Sequence, residues 1–401
     1  MNKGFFSQSK IKSKRKSNGL AQCGRCGLHK NCLSPKMPPT GEGRKKILFI
    51  AEAPGKREDE QNTQLIGEAG RLLRRYLRSK NINLDTDCWK TNACCCRRES
   101  STPPENYMIE ACRPNVFKVI KKYKPNVIIL LGRVAMKSVL GSLWKEDIGT
   151  ASKWGGFAIP CRNPNAWIVP TLHPSHVLVK KDNPLIGRLF RQQIKLGLSK
   201  AKNKPWDKPK TNNSKQIEII IRPSQAAKKI YDMQKREKYA SAFDYETNSL
   251  KPETEGAEII SCSICWGGRT TIAFPWAGEA IEAVSNYIKS PSLKIASNLK
   301  FEDRWTRVKL GHGVRNWWYD TMIGSHVLNN APGITGLKFQ AFVLLGQEPY
   351  DDHIKPLLKS NKENKLNQIH EIDIQDLLLY NGLDSLLEYK VAMKQIKQLE
   401  E

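Results

Sequence analysis

Two acidic residues on a short apolar stretch are the first candidates for chemistry in this 401-residue sequence. Asp244 and Glu246 lie in YASAFDYETNSL, residues 239–250, where β-forming residues predict a strand. Side chains two residues apart on a strand share a face, so the two carboxylates should lie side by side. Such a pair repels unless a cation lies between its members, and its oxygens suit Mg²⁺ or Mn²⁺. The alternative is an edge strand with two solvated acids.

Cysteines form the second candidate set. Nine of the 11 precede residue 162. The basic run at residues 10–16 is not followed by an apolar core, so the N-terminus does not have the order of a secretion signal. Without secretion, disulfide bonds are not expected, and ligation of a metal or cluster is favoured.

The elements that must position these residues differ between the two halves. In the first half, strands predicted at 45–51, 88–93, 126–132 and 166–170 alternate with helices, which favours a parallel sheet. Residues 104–123 have a helical pattern that we expect to be interrupted at Pro114. The second half predicts a mixed sheet followed by helices, the last from about residue 374 to 399. The fold class is therefore α/β with two domains.

Composition divides the chain into four segments. Residues 1–20 are basic and poor in apolar residues, which predicts a disordered tail. Residues 21–198 form the first domain, and residues 216–401 the second. Between them, residues 199–215 are rich in Lys, Asn and Pro and predict a linker, in which Trp206 is a candidate for docking on a domain.

Charge is divided between the halves. Residues 1–210 contain 42 Lys and Arg against 15 Asp and Glu, a net of 42 − 15 = +27, whereas residues 211–401 contain 24 of each, a net of zero. This division predicts a polyanion that is held by the first half and processed by the second. No apolar run approaches the roughly 18 residues of a membrane span, so we expect an intracellular, cytoplasmic protein without a membrane partner.

The second domain resembles the 3′→5′ exonuclease domain of family-A DNA polymerases, in the DEDD superfamily with an RNase H-like fold. Three motifs occur in the family's order: Asp244-x-Glu246, the run Asn298-Leu299-Lys300-Phe301-Glu302, and Tyr380-x-x-x-Asp384 of the tyrosine subclass. Asp320-Thr321-Met322 and Leu337-Lys338 resemble the segment between the second and third motifs.

The resemblance implies two Mg²⁺ or Mn²⁺ ions. Their ligands would be Asp244, Glu246, Glu302 and Asp384, with Tyr380 orienting the attacking water. The second motif usually ends in Asp, so Asp303 is the alternative to Glu302.

The first domain resembles the family 4, iron–sulfur type of uracil-DNA glycosylase. Cys23 and Cys26 match its N-terminal pair, Cys96 its third ligand and Cys112 its fourth. These residues imply a [4Fe–4S] cluster, and a zinc site with four cysteines is the alternative. Cys94 and Cys95 are close enough in sequence to compete with Cys96.

The resemblance extends in part to a uracil pocket. Glu52 matches the acid of the first motif, Asn92 the residue that reads the uracil edge, and His173 the histidine that stabilises the departing base. Leu65 replaces the family's stacking Phe. Two interpretations follow: a domain that excises uracil, or a domain that binds DNA and senses uracil for the exonuclease.

The combination of the two domains resembles the N-terminal part of some bacteriophage family-A DNA polymerases. It implies proofreading-type exonuclease activity in DNA replication or repair, on single-stranded or frayed 3′ ends that include uracil-containing DNA. A DNA polymerase would be a partner or a missing domain, and a phage-encoded protein would act in the host cytoplasm. The alternative function is a non-enzymatic replication scaffold or polymerase accessory subunit with a decayed glycosylase domain.

Overall fold

The structure is a computed structural model that describes residues 21–99, 102–208, 212–235, 239–360 and 365–400. The predicted basic tail, residues 1–20, lies outside the described residues, as do residues 209–211 of the predicted linker. Two sheets with covering helices form the described part, and the predicted two-domain α/β class is confirmed. None of the described helices combines the length and the apolar character needed to cross a membrane.

The first sheet has five strands in the order β2-β1-β3-β5-β4, all parallel except the edge strand β4. Its strands are β1 (Ile47–Ala51), β2 (Cys88–Asn92), β3 (Val127–Leu131), β4 (Ile159–Cys161) and β5 (Ala166–Thr171). Its helices are α1 (Cys23–Cys26), α2 (Lys56–Gln61), α3 (Glu68–Arg78), α4 (Asn106–Tyr123), α5 (Gly132–Val139), α6 (Ala151–Trp154), α7 (Pro174–Val179) and α8 (Pro184–Ser199). Short 3₁₀ turns cover Leu28–Lys30 and Leu140–Ser142.

Helices cover both faces of this sheet. Leu48 and Ile50 of β1 pack into one core with α4 and α5, whereas Ile47 and Phe49 pack into a second core with α3 and α8. Strands buried on both faces read as continuous apolar runs, which is why ILFIA and VIILL are recognisable in the sequence. The three-layer arrangement leaves the carboxyl edge of the sheet open for a site.

The expected interruption at Pro114 is wrong. Helix α4 continues through this residue, from Asn106 to Tyr123. The side chain of the adjacent Arg113 donates hydrogen bonds to the carbonyls of Lys137 and Ser138 in α5. Packing of α4 against α5 compensates for the backbone hydrogen bond that is lost at Pro114. A rule based on local sequence does not include such packing.

The second sheet has six strands in the order β11-β10-β7-β8-β9-β6. Strands β7, β8 and β9 are antiparallel, and β10 and β11 continue parallel to β7, as expected of an RNase H-like sheet. The strands are β6 (Ile217–Ile219), β7 (Ser241–Thr247), β8 (Ile259–Trp266), β9 (Thr270–Pro275), β10 (Lys294–Ala296) and β11 (Trp317–Asp320). The helices are α9 (Pro223–Gln234), α10 (Glu279–Lys289), α11 (Leu299–Leu310), α12 (Thr321–Leu328), α13 (Leu337–Leu345) and α14 (Ile374–Glu400), with 3₁₀ turns at Asn213–Gln216 and Ile369–Glu371.

Strand β7 divides its side chains between two layers. Phe243 and Tyr245 enter the core beneath α9 and α10, whereas Ala242 enters the core formed with α14. Because side chains alternate along a strand, Asp244 and Glu246 lie on the face that α14 covers.

One buried core contains residues of both domains. Residues of α13 and the preceding loop pack with Trp144 and Trp154 of the first domain; they are Ile334, Phe339, Phe342 and Val343. Ion pairs between Lys145 and Asp352 and between Lys355 and Glu146 cross the same boundary. The predicted linker is docked as well, since Trp206 Nε1 donates to the Pro160 carbonyl at 3.0 Å. The two domains therefore form one packed body over these contacts.

Candidate functional site

Three carboxylates meet between β7 and α14. Asp244, Glu246 and Asp384 each offer a ligand oxygen, and these oxygens lie within 4.8 Å of one another. Strand periodicity aligns the first two, and the crossing of α14 over the sheet adds the third. The structure therefore brings together the acids of the first and third predicted motifs, which are about 140 residues apart in sequence.

Asn381 holds this cluster in place, and the sequence analysis did not identify it. Its Nδ2 donates to Asp244 Oδ2 at 2.7 Å, and its Oδ1 accepts from Ser261 Oγ at 3.1 Å. On α14, Tyr380 directly precedes Asn381, and Asp384 follows Asn381 by three residues. The position of Asn381 within the third motif, on the turn that joins Tyr380 to Asp384, was the available signal.

Glu302 and Asp303 have different environments. Glu302, in the first turn of α11, is 2% exposed, and its Oε2 has no hydrogen-bond partner among the described residues. It lies outside the group of three carboxylates within 4.8 Å. Asp303 is instead committed to Arg307 Nε at 2.6 Å and to the Val314 N–H at 2.9 Å. Of the two alternatives, Glu302 is therefore the one available to a metal ion.

Asp320 orients the helix that carries Glu302. Its Oδ1 accepts from the Asn298 N–H at 3.1 Å and its Oδ2 from the Leu299 N–H at 3.0 Å, at the start of α11. It also accepts from Met322 and Ile323 at the start of α12. Asp320 thus satisfies the free N–H groups of two helices and acts as a positioning residue.

Burial and mutual repulsion dominate the electrostatics of the acids. Burial and the nearby Asp384 raise the pKa of Asp244 to about 8. Burial, Asp244 and Asp384 hold the pKa of Glu246 well above its usual range. Burial and Asp244 likewise raise the pKa of Glu302. Asp244 therefore retains its proton at neutral pH, and a divalent ion would displace this proton on binding.

A lysine and a second tyrosine contact Asp384. Lys338 Nζ and the Tyr350 hydroxyl both donate to Asp384 Oδ1, and Lys338 Nζ lies 2.9 Å from the Tyr350 hydroxyl. Nζ also lies 4.4 Å from the ring centroids of Tyr350 and Tyr380. Lys338 belongs to the segment that resembles the stretch between the second and third exonuclease motifs. Tyr350 lies on a loop that no motif identified. Lys338 supplies positive charge at the edge of the site.

The first domain has its own cluster of candidate residues at the carboxyl edge of the sheet. Glu52 directly follows β1 and Asn92 ends β2, with Ala51 and Asn92 paired in register. His173 follows β5, whose Thr171 pairs with Leu131 at the end of β3. Gly132 allows this approach, because a Cβ there would lie 2.8 Å from the His173 Cβ. The parallel strands β2, β1 and β5, the last joined to β1 through β3, therefore bring the three predicted pocket residues to one edge.

His173 and Asn92 present hydrogen-bonding groups at this edge. Burial lowers the pKa of His173 to about 4, so the imidazole is neutral at neutral pH. Its Nδ1 accepts from the Ser175 N–H at 3.2 Å, which leaves the proton on Nε2 as a donor. Asn92 Nδ2 is buried and has no partner in the described ranges. Burial also raises the pKa of Glu52. These groups suit a neutral polar ligand such as a nucleobase edge.

Leu65 adopts an unusual backbone conformation. It has a φ of +57°, and its side chain is 3% exposed and packs with Leu73 and Leu77. Gly70 permits the turn, since a Cβ there would lie 1.9 Å from the Leu65 carbonyl oxygen. Leu65 therefore lies in the core and does not present an open face on which a base could stack.

Six cysteines line one cavity between α1, α4 and the loop after β2. They are Cys23, Cys26, Cys94, Cys95, Cys96 and Cys112. The Cys96 sulfur accepts from the Lys36 N–H at 3.2 Å, and the Cys112 sulfur accepts from the Cys95 N–H at 3.3 Å. A hydrogen bond with the Cys95 thiol lowers the pKa of Cys112 to about 6. Over the ranges that the structure describes, no three of these sulfurs lie within 4.8 Å of one another.

The cavity and the pocket edge are directly connected. The Cys94 N–H donates to the Glu52 carbonyl at 3.0 Å, and the Ala93 N–H donates to the Ala51 carbonyl at 2.8 Å. A group bound by the cysteines would therefore stabilise the loop that follows Asn92 and the loop that carries Glu52.

Comparison with known proteins gives matches for the first half of the chain. The family described as the uracil DNA glycosylase superfamily matches residues 38–196. The type-4 uracil-DNA glycosylase of Pyrobaculum aerophilum is 30% identical over 166 residues, 40% of this chain and 82% of that protein. That of Archaeoglobus fulgidus is 28% identical over 163 residues, 40% of this chain and 80% of that protein.

Among solved structures, Brucella melitensis NrnC with bound Mg²⁺ is similar with a TM-score of 0.31 and 20% identity, over 40% of this chain and 73% of that one.

Proposed function

Because the chain belongs to the uracil DNA glycosylase superfamily through residues 38–196, we propose that its first domain binds DNA that its second domain hydrolyses. The second domain is a metal-dependent 3′→5′ exonuclease of the proofreading type. The observation that carries this assignment is the meeting of the Asp244, Glu246 and Asp384 ligand oxygens within 4.8 Å. A DNA polymerase that generates the 3′ ends would be the corresponding partner.

The acids fit a divalent-ion site. Buried carboxylates with raised pKa values are stabilised by a bound cation, and Glu302 has a buried oxygen without a partner among the described residues. Asp244, Glu246, Asp384 and Glu302 would hold two Mg²⁺ or Mn²⁺ ions. Such ions supply a metal-activated water and stabilise the charge that develops on the phosphoryl group.

Tyr380 would position the attacking water. Burial and the surrounding acids hold the pKa of Tyr380 well above its usual range, so the phenol keeps its proton. Its hydroxyl can donate and accept hydrogen bonds, and it lies one helical turn from Asp384. Tyr380 therefore acts as a neutral orienting group, and the acids act as ligands.

Digestion of a 5′-labelled single strand tests the assignment. The wild-type protein with Mg²⁺ should shorten the strand from its 3′ end, and EDTA should stop it. Asp244→Ala should abolish digestion, whereas Asp376→Asn, an exposed acid on α14, should not change it. Digestion by Asp244→Ala at the wild-type rate would contradict the proposal and favour a non-enzymatic scaffold.

The first domain is proposed to recognise uracil. Support comes from the neutral His173 and from Asn92 Nδ2, which has no partner among the described residues, both at the carboxyl edge of the sheet. Leu65 argues against efficient excision, because ring stacking contributes roughly 1–3 kcal/mol per base and Leu offers no ring. A uracil-containing oligonucleotide is incubated with the protein in EDTA, which stops the exonuclease, and is then treated with alkali. This experiment separates uracil excision from uracil binding alone. Alkali-labile breaks at uracil would show that the domain also excises the base.

A [4Fe–4S] cluster is the proposed occupant of the cysteine cavity, held by Cys23, Cys26, Cys96 and Cys112. Zinc–sulfur bonds of about 2.3 Å require tetrahedral thiolates about 3.8 Å apart, and a cubane cluster separates its thiolates more widely. Among the described residues no three of these sulfurs lie within 4.8 Å of one another, which supports the cluster over a closed tetrahedral zinc site. Iron content with a brown visible spectrum is expected from purified protein, and zinc without iron would refute this assignment.

A further inference from the structure

A fifth carboxylate lies one helical turn beyond Asp384 on α14. Glu388 is 1% exposed. Its Oε1 accepts a hydrogen bond from the Ser297 N–H at 3.2 Å, and its Oε2 has no partner within the described segments. A buried carboxylate oxygen without a partner costs free energy unless a proton or cation compensates it. The four acids of the exonuclease motifs do not explain what compensates the buried Glu388 carboxylate.

Glu388 follows Asp384 by one helical turn, and its partner Ser297 directly precedes Asn298 at the start of α11, the helix that carries Glu302. Like Glu302, Glu388 lies outside the group of three carboxylates within 4.8 Å. Its pKa is held well above the usual range by burial and then by Asp244, Glu302 and Asp384. Glu302 also has a buried Oε2 without a partner in the described part of the chain. The two carboxylate oxygens without a described partner thus belong to α11 and to the later part of α14, the two helices that border the site on this side.

Charge balance gives the second reason. The acids Asp244, Glu246, Glu302, Asp384 and Glu388 carry five negative charges when ionised. Lys338, ion-paired with Asp384, supplies one positive charge, which leaves 5 − 1 = 4 negative charges. Two divalent ions would neutralise this remainder. Asp320 does not enter the count, because backbone N–H groups at the starts of α11 and α12 satisfy its carboxylate.

We propose that Glu388 is a further ligand of the divalent-ion site, acting with Glu302 on one ion either directly or through its water. The Ser297 N–H orients the carboxylate through Oε1 and leaves Oε2 for the ion. Lys338 compensates the additional negative charge. This inference rests on the proposed exonuclease site and adds a carboxylate to the four acids of the motifs.

Mn²⁺ binding to the full chain, measured by electron paramagnetic resonance and calorimetry, tests the role of Glu388. The wild type should bind two ions, as a two-metal site requires. Glu388→Gln should lower the affinity for one of the two ions by at least about tenfold, since it removes one charged ligand. Its amide oxygen can still accept from Ser297, so the local structure should persist. Asp376→Asn, on the same helix but exposed, is the matched control.

Two further variants make the outcomes distinguishable. Asp244→Asn should lose both ions, and Lys338→Met should bind Mn²⁺ more tightly than the wild type because it leaves one more uncompensated negative charge. Unchanged binding of both ions by Glu388→Gln, with loss in Asp244→Asn, would overturn the role of Glu388 and leave the exonuclease assignment intact. Wild-type binding by Asp244→Asn would overturn the exonuclease site itself. If Glu388→Gln does not fold, Glu388→Asp provides the same comparison, with weakened binding of one ion expected.

Discussion

The ring of Phe339, in the second domain, packs against Trp154 of the first domain with the ring centroids 5.1 Å apart. The residue before it, Lys338, contacts Asp384 in the carboxylate cluster. Consecutive residues of α13 therefore reach a core shared with the first domain and the proposed nuclease site. This arrangement makes the docking of the two domains a determinant of the position of Lys338.

Removing the Phe339 ring should weaken both the interface and the site. We expect Phe339→Ala to lower the free energy of unfolding by about 3–5 kcal/mol, because it leaves a cavity among buried aromatic rings. Exonuclease activity should also fall, because α13 loses the contact that fixes Lys338. Denaturant unfolding and single-strand digestion measure the two effects. Leu250→Ala, at an exposed position, is the control, and equal unfolding free energies for the two variants would contradict the prediction.

The metal-free protein should lose stability as the pH rises. The pKa of Asp244 is about 8 in the folded state, against roughly 4 for an unfolded Asp. Between these values the folded state binds more protons than the unfolded state, so the free energy of unfolding decreases with increasing pH. Asp244→Asn removes this contribution. After removal of divalent ions, the variant should have a higher Tm than the wild type at pH 8.5 and a similar Tm at pH 4. Parallel pH profiles of Tm would rule out this source of instability.

Loss of the Tyr380 hydroxyl should slow hydrolysis without weakening metal binding. Orientation of a nucleophile typically contributes about 10²-fold or more, so we expect a decrease of this order in kcat for Tyr380→Phe. The affinity for Mn²⁺ should be unchanged, because the hydroxyl is not a ligand. Tyr389→Phe on the same helix should behave as the wild type. A Tyr380→Phe variant with a normal kcat would show that Tyr380 has only a packing role.

Uracil recognition should not depend on pH near neutrality. Because burial lowers the pKa of His173 to about 4, the imidazole stays neutral between pH 6 and pH 8.5. The preference for uracil-containing over thymine-containing DNA should be constant over this range. His173→Ala should reduce that preference about tenfold, in line with the loss of one buried hydrogen bond, whereas the exposed His176→Ala should not. Fluorescence anisotropy in EDTA measures both, and a transition near pH 6.5 would contradict the neutral form.

Local patterns were sufficient for the sites that depend on spacing along one element. Asp244 and Glu246 could be assigned to one face of a strand, and Tyr380 and Asp384 to one face of a helix, because side-chain periodicity is a local property. The buried runs of β1 and β3 likewise indicated the first sheet. The continuity of α4 through Pro114 could not be predicted, because it depends on packing against α5.

By itself, the sequence determined the two α/β domains, the division of charge and the acids and cysteines with ligand chemistry. The tertiary structure decided which of these groups meet. It separated Glu302, whose Oε2 has no partner among the described residues, from Asp303, which is bound to Arg307, and it added Asn381 and Tyr350 as contacts of the acidic cluster. It also showed that the two predicted domains pack against each other through α13. These features depend on the crossing of α14 over β7 and on burial between distant segments, which set distances and pKa values that no local pattern contains.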